Sequence, residues 1–250
     1  MARLPSPKAA SRTGAHVAAG DFEQHHHRKV TGGAARAAVF GISDGLQTNL
    51  ALILGVAGAN PATGVVRLAG LAGLIGGAFS MAAGEYVSMK AQTELVEREL
   101  AIEREAIAGE PDREQRELSA LYRSRGVDRE TAERMAAQMM SNPDLALEVH
   151  AREELGVDPG ALGSPLAAAG SSFVSFAVGA VVPLLPWFFG SGTAAVVTSL
   201  VLALVVAGIV GVALSRFTGR SWLFSAGRQM GIALFAAGIA FGIGRLVGAG

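Results

Sequence analysis

The sequence contains no cysteine and few charged or aromatic residues, which make up 17% and 6% of its 250 positions. Without cysteine there can be no disulfides, thiolate zinc sites or iron–sulfur clusters. Any metal ion must therefore be held by carboxylates, histidine, methionine or backbone oxygens. Half of the residues are hydrophobic, and the mean hydropathy is +0.39. This composition is too apolar for a soluble domain and is typical of a multi-span membrane protein with one soluble portion.

Charge is unevenly distributed along the chain, although acidic and basic residues balance at 21 each. Residues 90–159 hold 17 of the acidic and 10 of the basic residues, a local charge of −7. Everywhere else, four acidic residues accompany eleven basic ones. A protein that binds nucleic acid through a basic surface does not show this pattern, so no nucleic-acid partner is expected. The acidic stretch instead indicates a separate soluble module.

Five apolar stretches are each long enough to cross a hydrocarbon core of roughly 30 Å, which takes about 20 helical residues. They lie at 37–59, 68–89, 165–189, 193–215 and 222–247. The predicted fold class is therefore all-α, a polytopic membrane protein with five transmembrane helices. We expect a disordered cytosolic tail, spans one and two, an acidic helical metal-binding module, and spans three to five, at 1–36, 37–89, 90–160 and 161–250.

The distribution of lysine and arginine predicts the orientation of the spans. With the N-terminus in the cytosol, nine basic residues outside the module lie on the cytosolic side, and only Arg67 and Arg245 lie near the outer face. The module is then cytosolic and the C-terminus lies outside. A run of three histidines, 25–27, falls in the tail, where a solvated polar role is favoured over weak metal scavenging.

The stretch from Gly76 to Glu117 passes from apolar membrane helix to glutamate-rich helix with no stop signal before Gly109 and Pro111. It predicts one continuous rod that joins span two to the module. Further helices are expected at about 112–125, after Asp128, and from the Asn142–Pro143 step to near residue 156.

Two acidic residues fall within predicted spans, Asp44 in span one and Glu85 in span two. An ionisable group in the membrane is costly unless it is paired or wetted, so it indicates an ion pathway. A helical rise of about 1.5 Å per residue places both, with Met81, in the inner half of the membrane. Two carboxylates and a thioether suit Fe²⁺ or Mn²⁺ better than Ca²⁺. Packing alone would also explain Met81, and an interfacial position would explain Glu85.

Glutamates in the module recur at spacings of three and four, which stacks carboxylates on one helical face. Like charges there are tolerable when a cation is bound, although a solvated charged face explains the pattern equally well. Methionines 135, 139 and 140 could contribute ligands, but each is more readily explained as core. The candidate metal ligands of the module are Glu99, Glu103, Glu105, Glu110, Glu114, Glu117, His150 and Glu154.

Four segments carry a family resemblance: FGISDGL at 40–46, ALILGVAGA at 51–59, GAFSMAAGEYVSMKAQTE at 77–94 and EELG at 153–156. Together they resemble the vacuolar iron transporter family over roughly residues 30–250. The resemblance implies a five-span homodimer that moves Fe²⁺ or Mn²⁺ out of the cytosol in exchange for protons.

The resemblance also implies site residues. Asp44 and Met81 match positions that line the translocation path. Module glutamates that bind metal in the family match Glu103, Glu114, Glu117 and Glu154. One further family glutamate falls at Ala106, beside Glu105, and a family methionine falls at His150.

The predicted function is a proton-coupled divalent-metal exporter, a secondary antiporter with no permanent cofactor. Its cargo is Fe²⁺ or Mn²⁺, with Zn²⁺, Co²⁺ and Ni²⁺ as further candidates. A metal sensor or scaffold without flux is one alternative. A ferritin-like di-iron oxidase is another, but it needs Glu-x-x-His on two helices, and Glu23–His26 is the single match. The Ala/Gly/Arg-rich composition favours a bacterial inner membrane over a vacuole-like one.

Overall fold

The computed structural model describes residues 33–248, and the three-histidine run lies outside them. The described residues form α-helices and one 3₁₀ turn, Pro159–Ala161, without strands. The helices are α1 Gly33–Gly58, α2 Thr63–Gly109, α3 Pro111–Ser124, α4 Arg129–Met140, α5 Pro143–Glu153, α6 Pro165–Leu184, α7 Pro186–Phe189, α8 Gly192–Thr218 and α9 Trp222–Gly248. The predicted all-α class is thereby confirmed.

Five segments are long and apolar enough to cross a membrane, namely Ala38–Gly58, α2, α6 with α7, α8 and α9. They match the five predicted spans. The third span differs in detail, because the structure divides the predicted helix between Leu184 and Pro186. Proline has no backbone N–H to continue the ladder, so the chain starts a new helix there.

Helix α2 is continuous over 47 residues. At about 1.5 Å per residue it is about 70 Å long, more than twice the thickness of a hydrocarbon core. Its start is tied to α7, since Nε of Arg67 donates to the carbonyl of Trp187 at 2.6 Å. It ends at Gly109, and Pro111 occupies the first turn of α3. The predicted rod and its break are both present.

Local signals also fix the shorter helices of the module. The Asp128 side chain accepts from the Thr131 amide and caps α4, while Asn142 accepts from two amides at the start of α5. Gly126 has a φ of +94° between α3 and α4, a conformation that glycine adopts without strain. Helices α3 and α4 meet over a small apolar core, Leu118, Tyr122, Ala132 and Ala136.

Glycines bring α1 and α6 into backbone contact in the membrane part. A Cβ on Gly45 would lie 2.1 Å from the carbonyl oxygen of Phe176, and one on Gly179 would lie 2.2 Å from that of Ile42. The Phe176 ring in turn lies against Gly77 of α2, so a Cβ there would be 2.3 Å from the ring. Helix α6 is therefore held between α1 and α2 by positions that have no side chain.

We predict that Gly179→Ala destabilises the protein by about 1–3 kcal/mol, because the added methyl group must displace backbone of α1. Thermal unfolding of the detergent-solubilised protein, followed by circular dichroism, measures the change. Gly170→Ala on the same helix is the matched control, since its Cβ would meet nothing within 4 Å. There, alanine should stabilise the helix by roughly 0.5–1 kcal/mol. Equal shifts in the two variants would contradict the proposed close contact.

Candidate metal centre

Three helices of the module place ionisable side chains at one point. Glu103 comes from the extended part of α2, Glu114 from the first turn of α3 and His150 from the last turn of α5. One ligand atom from each lies within 4.8 Å of the other two. Helix α5 packs back against α2, which brings His150 next to Glu103 although 47 positions separate them in the sequence.

His150 is at the centre of this group. Its Nδ1 lies 2.9 Å from Oε1 of Glu103, 3.3 Å from Oε1 of Glu154 and 4.0 Å from Oε2 of Glu114. The imidazole is fully buried, and the Glu103 and Glu114 side chains are only 14% and 5% exposed. Glu154, at the end of α5, is the most open of the four, with 28% of its side chain exposed.

These short distances are not hydrogen bonds. Both ring nitrogens of His150 and Oε1 of Glu103 are buried without a hydrogen-bond partner, so the 2.9 Å approach lacks the alignment that a bond needs. Buried polar atoms in proteins are nearly always satisfied. Carboxylate oxygens and a ring nitrogen that converge without bonding one another are suited to a cation placed among them.

The electrostatics of the site agree with its geometry. Burial is the main cause that raises the pKa of the Glu103 carboxyl, His150 opposes the rise, and the neighbouring glutamates add to it. Burial also raises the pKa of Glu114, with Glu117 the next contribution. Each carboxyl thus holds its proton to higher pH than usual, because no fixed charge fully compensates the cluster. A divalent cation would supply that compensation.

The other predicted module ligands are placed differently. Glu117 lies close enough to raise the pKa of Glu103 and Glu114, but its carboxylate accepts from Nε of Arg113 at 3.0 Å. Arg113 also pairs with Glu110 at 3.2 Å, on the exposed surface. Glu99 is half-buried and Glu105 is exposed, and neither belongs to the group around His150.

Methionines 135 and 139 pack against the apolar core of α3 and α4. They are therefore placed as core side chains, the role that the sequence favoured. Arg113 was absent from the predicted site, although its position between Glu110 and Glu117 at helical spacings signals the pairing.

In the membrane part, the three predicted residues have separate neighbours. Asp44 is half-buried and accepts from the hydroxyl of Thr48 on its own helix at 3.3 Å. Met81 packs beside the cluster of Ala78, Phe176 and Ala180, and Glu85 is half-buried further along α2. No described contact joins these three side chains to one another.

Two neutral side chains near Asp44 link helices. Nδ2 of the buried Asn49 donates to the Ala180 carbonyl at 2.7 Å, which fastens α1 to α6. Nε2 of Gln47 lies 3.3 Å from both Oγ of Ser43 and Oε1 of Gln229 on α9. Gln229 was not among the sequence candidates. It is a lone glutamine near the start of span five, and no acidic residue at helical spacing marks it as part of a site.

Comparison with known proteins adds to this geometry. The profile of the VIT family matches residues 35–245, which include both the membrane helices and the module. The chain belongs to the VIT family. Among its VIT relatives are vacuolar iron transporter 2 of Oryza sativa, 34% identical over 90% of this chain and 93% of the relative. A vacuolar iron transporter of Acanthamoeba castellanii is 37% identical over 90% of this chain and 83% of the relative. Vacuolar iron transporter 1 of Arabidopsis thaliana is 31% identical over 89% of this chain and 90% of the relative.

The raised pKa values of Glu103 and Glu114 predict how the stability of the metal-free module changes with pH. A group whose pKa is raised by folding stabilises the fold when protonated, and that contribution is lost as pH rises through the raised pKa. Protection of the α5 amides against hydrogen exchange, corrected for intrinsic rate, should therefore fall in metal-free protein as pH rises from the ordinary glutamate pKa, about 4.3, through the raised pKa values of Glu103 and Glu114. A divalent cation should restore it at the upper end.

The variant Glu103→Gln should flatten this pH dependence, because it removes a buried charge. Glu110→Gln is the matched control, an exposed glutamate of the same module that pairs with Arg113, and it should leave the trend as in the parent. Protection that rises with pH in the metal-free parent would show that the buried carboxylates do not repel one another.

Proposed function

We propose that this VIT family chain is a secondary transporter that exports divalent metal ions from the cytosol in exchange for protons. Fe²⁺ is the first proposed cargo, because the relatives from rice, Acanthamoeba and Arabidopsis are named vacuolar iron transporters. Mn²⁺ is the second, and Zn²⁺, Co²⁺ and Ni²⁺ fit the same donors. Five helices long and apolar enough to cross a membrane agree with a transporter, as do the names of those relatives.

The observation that carries the proposal is the buried, unbonded His150 among three carboxylates, on a module whose central helix is also a membrane span. A site built in this way takes up a cation from the aqueous side. The module shares α2 with two of the proposed membrane residues, Met81 and Glu85. Capture and translocation are then two steps at two sites.

The separation of the two sites follows from α2. Glu85 and Glu103 are 18 positions apart, which is about 27 Å along a continuous helix. No side chain reaches over that distance, so an ion must leave the module before it meets Glu85, Met81 or Asp44. We propose that Asp44 and Met81 line the membrane path and that Glu85 lies at its cytosolic entrance.

Proton exchange follows from the chemistry of the ligands. A carboxylate or an imidazole binds metal only in its deprotonated form, so metal binding releases protons. Burial raises the pKa of Glu103 and Glu114, which strengthens this competition in the module. In the membrane, a metal-bound carboxylate at the half-buried Asp44 costs less than a free charge.

The proposed direction rests on the basic residues around the spans. Positive charge concentrates before α1 and around the α8–α9 connection, which favours a cytosolic position for these segments and for the module between spans two and three. The C-terminus then lies on the opposite side. The membrane is proposed to be the inner membrane in a bacterium and a vacuole-like membrane in a eukaryote.

A homodimer is proposed because several small-residue faces have no neighbour in the single chain. A Cβ on Gly76 of α2, or on Gly231 or Gly242 of α9, would meet nothing within 4 Å. Such faces allow close helix approach in membranes. A second copy would also cover Thr48, which is exposed beside Asp44.

The cysteine-free chain makes the dimer directly testable. Single cysteines at 76, 231 and 242 should give a disulfide-linked dimer under mild oxidation in native membranes at one or more positions. Ala233→Cys, at a fully buried position of α9, is the matched control and should not cross-link. Monomers at every position, together with the mass of one chain by light scattering in detergent, would contradict the dimer.

Transport is tested in proteoliposomes under an imposed pH gradient, with orientation established by protease access to residues 90–160. The parent should move Fe²⁺ and Mn²⁺ in a gradient-dependent way. Asp44→Ala should abolish flux and leave metal binding by the module intact, because the two sites are far apart on α2. The double variant Glu103→Gln with Glu114→Gln should bind metal weakly at the module. It should still show slow but measurable flux at high metal concentration.

Two outcomes would favour a function other than transport. Metal binding without flux, in intact and correctly oriented vesicles, would favour a sensor or scaffold. Oxygen consumption on adding Fe²⁺ would favour a ferritin-like oxidase, although His150 is the single histidine in residues 33–248, the part of the chain that the structure describes. Asp44→Asn accompanies the alanine variant as the control that keeps side-chain volume and removes the charge.

A further inference from the structure

The donor set around His150 is mixed. Glu103, Glu114 and Glu154 offer carboxylate oxygens, and His150 adds one imidazole nitrogen. No other histidine and no cysteine lies within residues 33–248, so this is the one strong nitrogen or sulfur donor in the described part of the chain. Methionines 135 and 139, two of the three thioethers in residues 90–160, pack against the apolar core of the module.

We propose that His150 is the specificity-determining ligand of the module. It makes the site prefer Fe²⁺, Co²⁺ and Zn²⁺ over Mn²⁺, and it discriminates against Mg²⁺ and Ca²⁺. The inference rests on the proposed function in one respect, that the module is the place where cargo ions are first captured.

The position of the nitrogen supports this discrimination. Nδ1 lies within 4.0 Å of an oxygen from each of the three glutamates. An ion held among those carboxylates therefore lies beside the ring nitrogen, which can join its ligands. Because the side chain is fully buried, it cannot turn away into solvent to leave an all-oxygen site.

The chemistry then sets the order of affinities. Carboxylates and water suit Mg²⁺, Ca²⁺ and Mn²⁺, whereas imidazole suits Fe²⁺, Ni²⁺ and Zn²⁺. Mg²⁺ also demands oxygen ligands in near-ideal octahedral geometry and gives up its water reluctantly. A buried nitrogen thus adds affinity for the later transition metals and little for the hard ions. Such a filter is useful where Mg²⁺ is the abundant competitor.

A structural role for His150 is the competing explanation. A protonated ring among three carboxylates would act as a counter-charge and hold the module together without binding metal. The two roles differ in what they predict. A counter-charge affects every divalent ion alike, whereas a ligand changes the ratio of affinities between ions.

The test uses the full chain in detergent, with histidines 16, 25, 26 and 27 replaced by alanine so that His150 is the single imidazole. Affinities for Co²⁺, Zn²⁺, Mn²⁺ and Mg²⁺ are measured by titration calorimetry in this parent and in His150→Gln, which offers an amide oxygen instead. The variant should lose at least about tenfold in affinity for Co²⁺ and Zn²⁺. Its Mn²⁺ and Mg²⁺ affinities should stay near those of the parent, so the Co²⁺/Mn²⁺ ratio falls.

Glu110→Gln is the matched control. It removes an exposed carboxylate of the same module that pairs with Arg113, and it should leave the ratio unchanged. An equal loss for all four ions in His150→Gln would overturn the proposal in favour of the structural role. Unchanged affinities would show that the ring is not a ligand.

A measurement without any His150 substitution guards against a variant that misfolds. In the same background, with ¹⁵N-labelled histidine, stoichiometric Zn²⁺ should shift the ring-nitrogen resonance of His150, while Mg²⁺ in large excess should not. Zn²⁺ binding without that shift would overturn the proposal. Failure of transport would be distinguishable, because none of these readouts depends on flux.

Discussion

The continuity of α2 is the constraint on which the rest of the structure depends. One helix of 47 residues carries Met81 and Glu85 in its apolar part and Glu103 in its charged part. An unbroken helix fixes the distance between those positions, at about 33 Å from Met81 to Glu103. The module therefore has to fold around the far end of α2, and α5 returns to it with His150. The two candidate sites are held apart by the same rigid element that connects them.

Burial of like charges is the second constraint. Glu103 and Glu114 are nearly inaccessible, beside Glu154 and an imidazole that makes no aligned hydrogen bond. In a low-dielectric setting such a group is costly when ionised, and its pKa rises. Protons or a divalent cation both relieve that cost. Under the proposed function, the same physical feature favours cation binding at the site and makes its occupancy depend on pH, which is what an exchange of metal for protons requires.

The sequence predicts the helices well because their signals are local. Apolar length identifies the five spans, Gly109 and Pro111 end the rod, and Asp128 and Asn142 cap the helices that they precede. The metal centre is only partly predictable, since helical spacing shows that glutamates share a face but not which face meets another helix. Glu114 is buried while Glu110, four positions earlier, pairs with Arg113. That difference depends on how the helices of the module pack together, which no local pattern contains.

The packing of α6 against α1 also limits where an ion can cross. On the glycine face of α1 the backbones approach so closely that a single methyl group at Gly45 would overlap the Phe176 carbonyl. A cation with any hydration cannot pass there. Under the proposed function, the path must follow the face of α1 that carries Asp44 and Thr48, which the single chain leaves partly open. The proposed second subunit would cover that face, so the proposed dimer and the proposed path are linked.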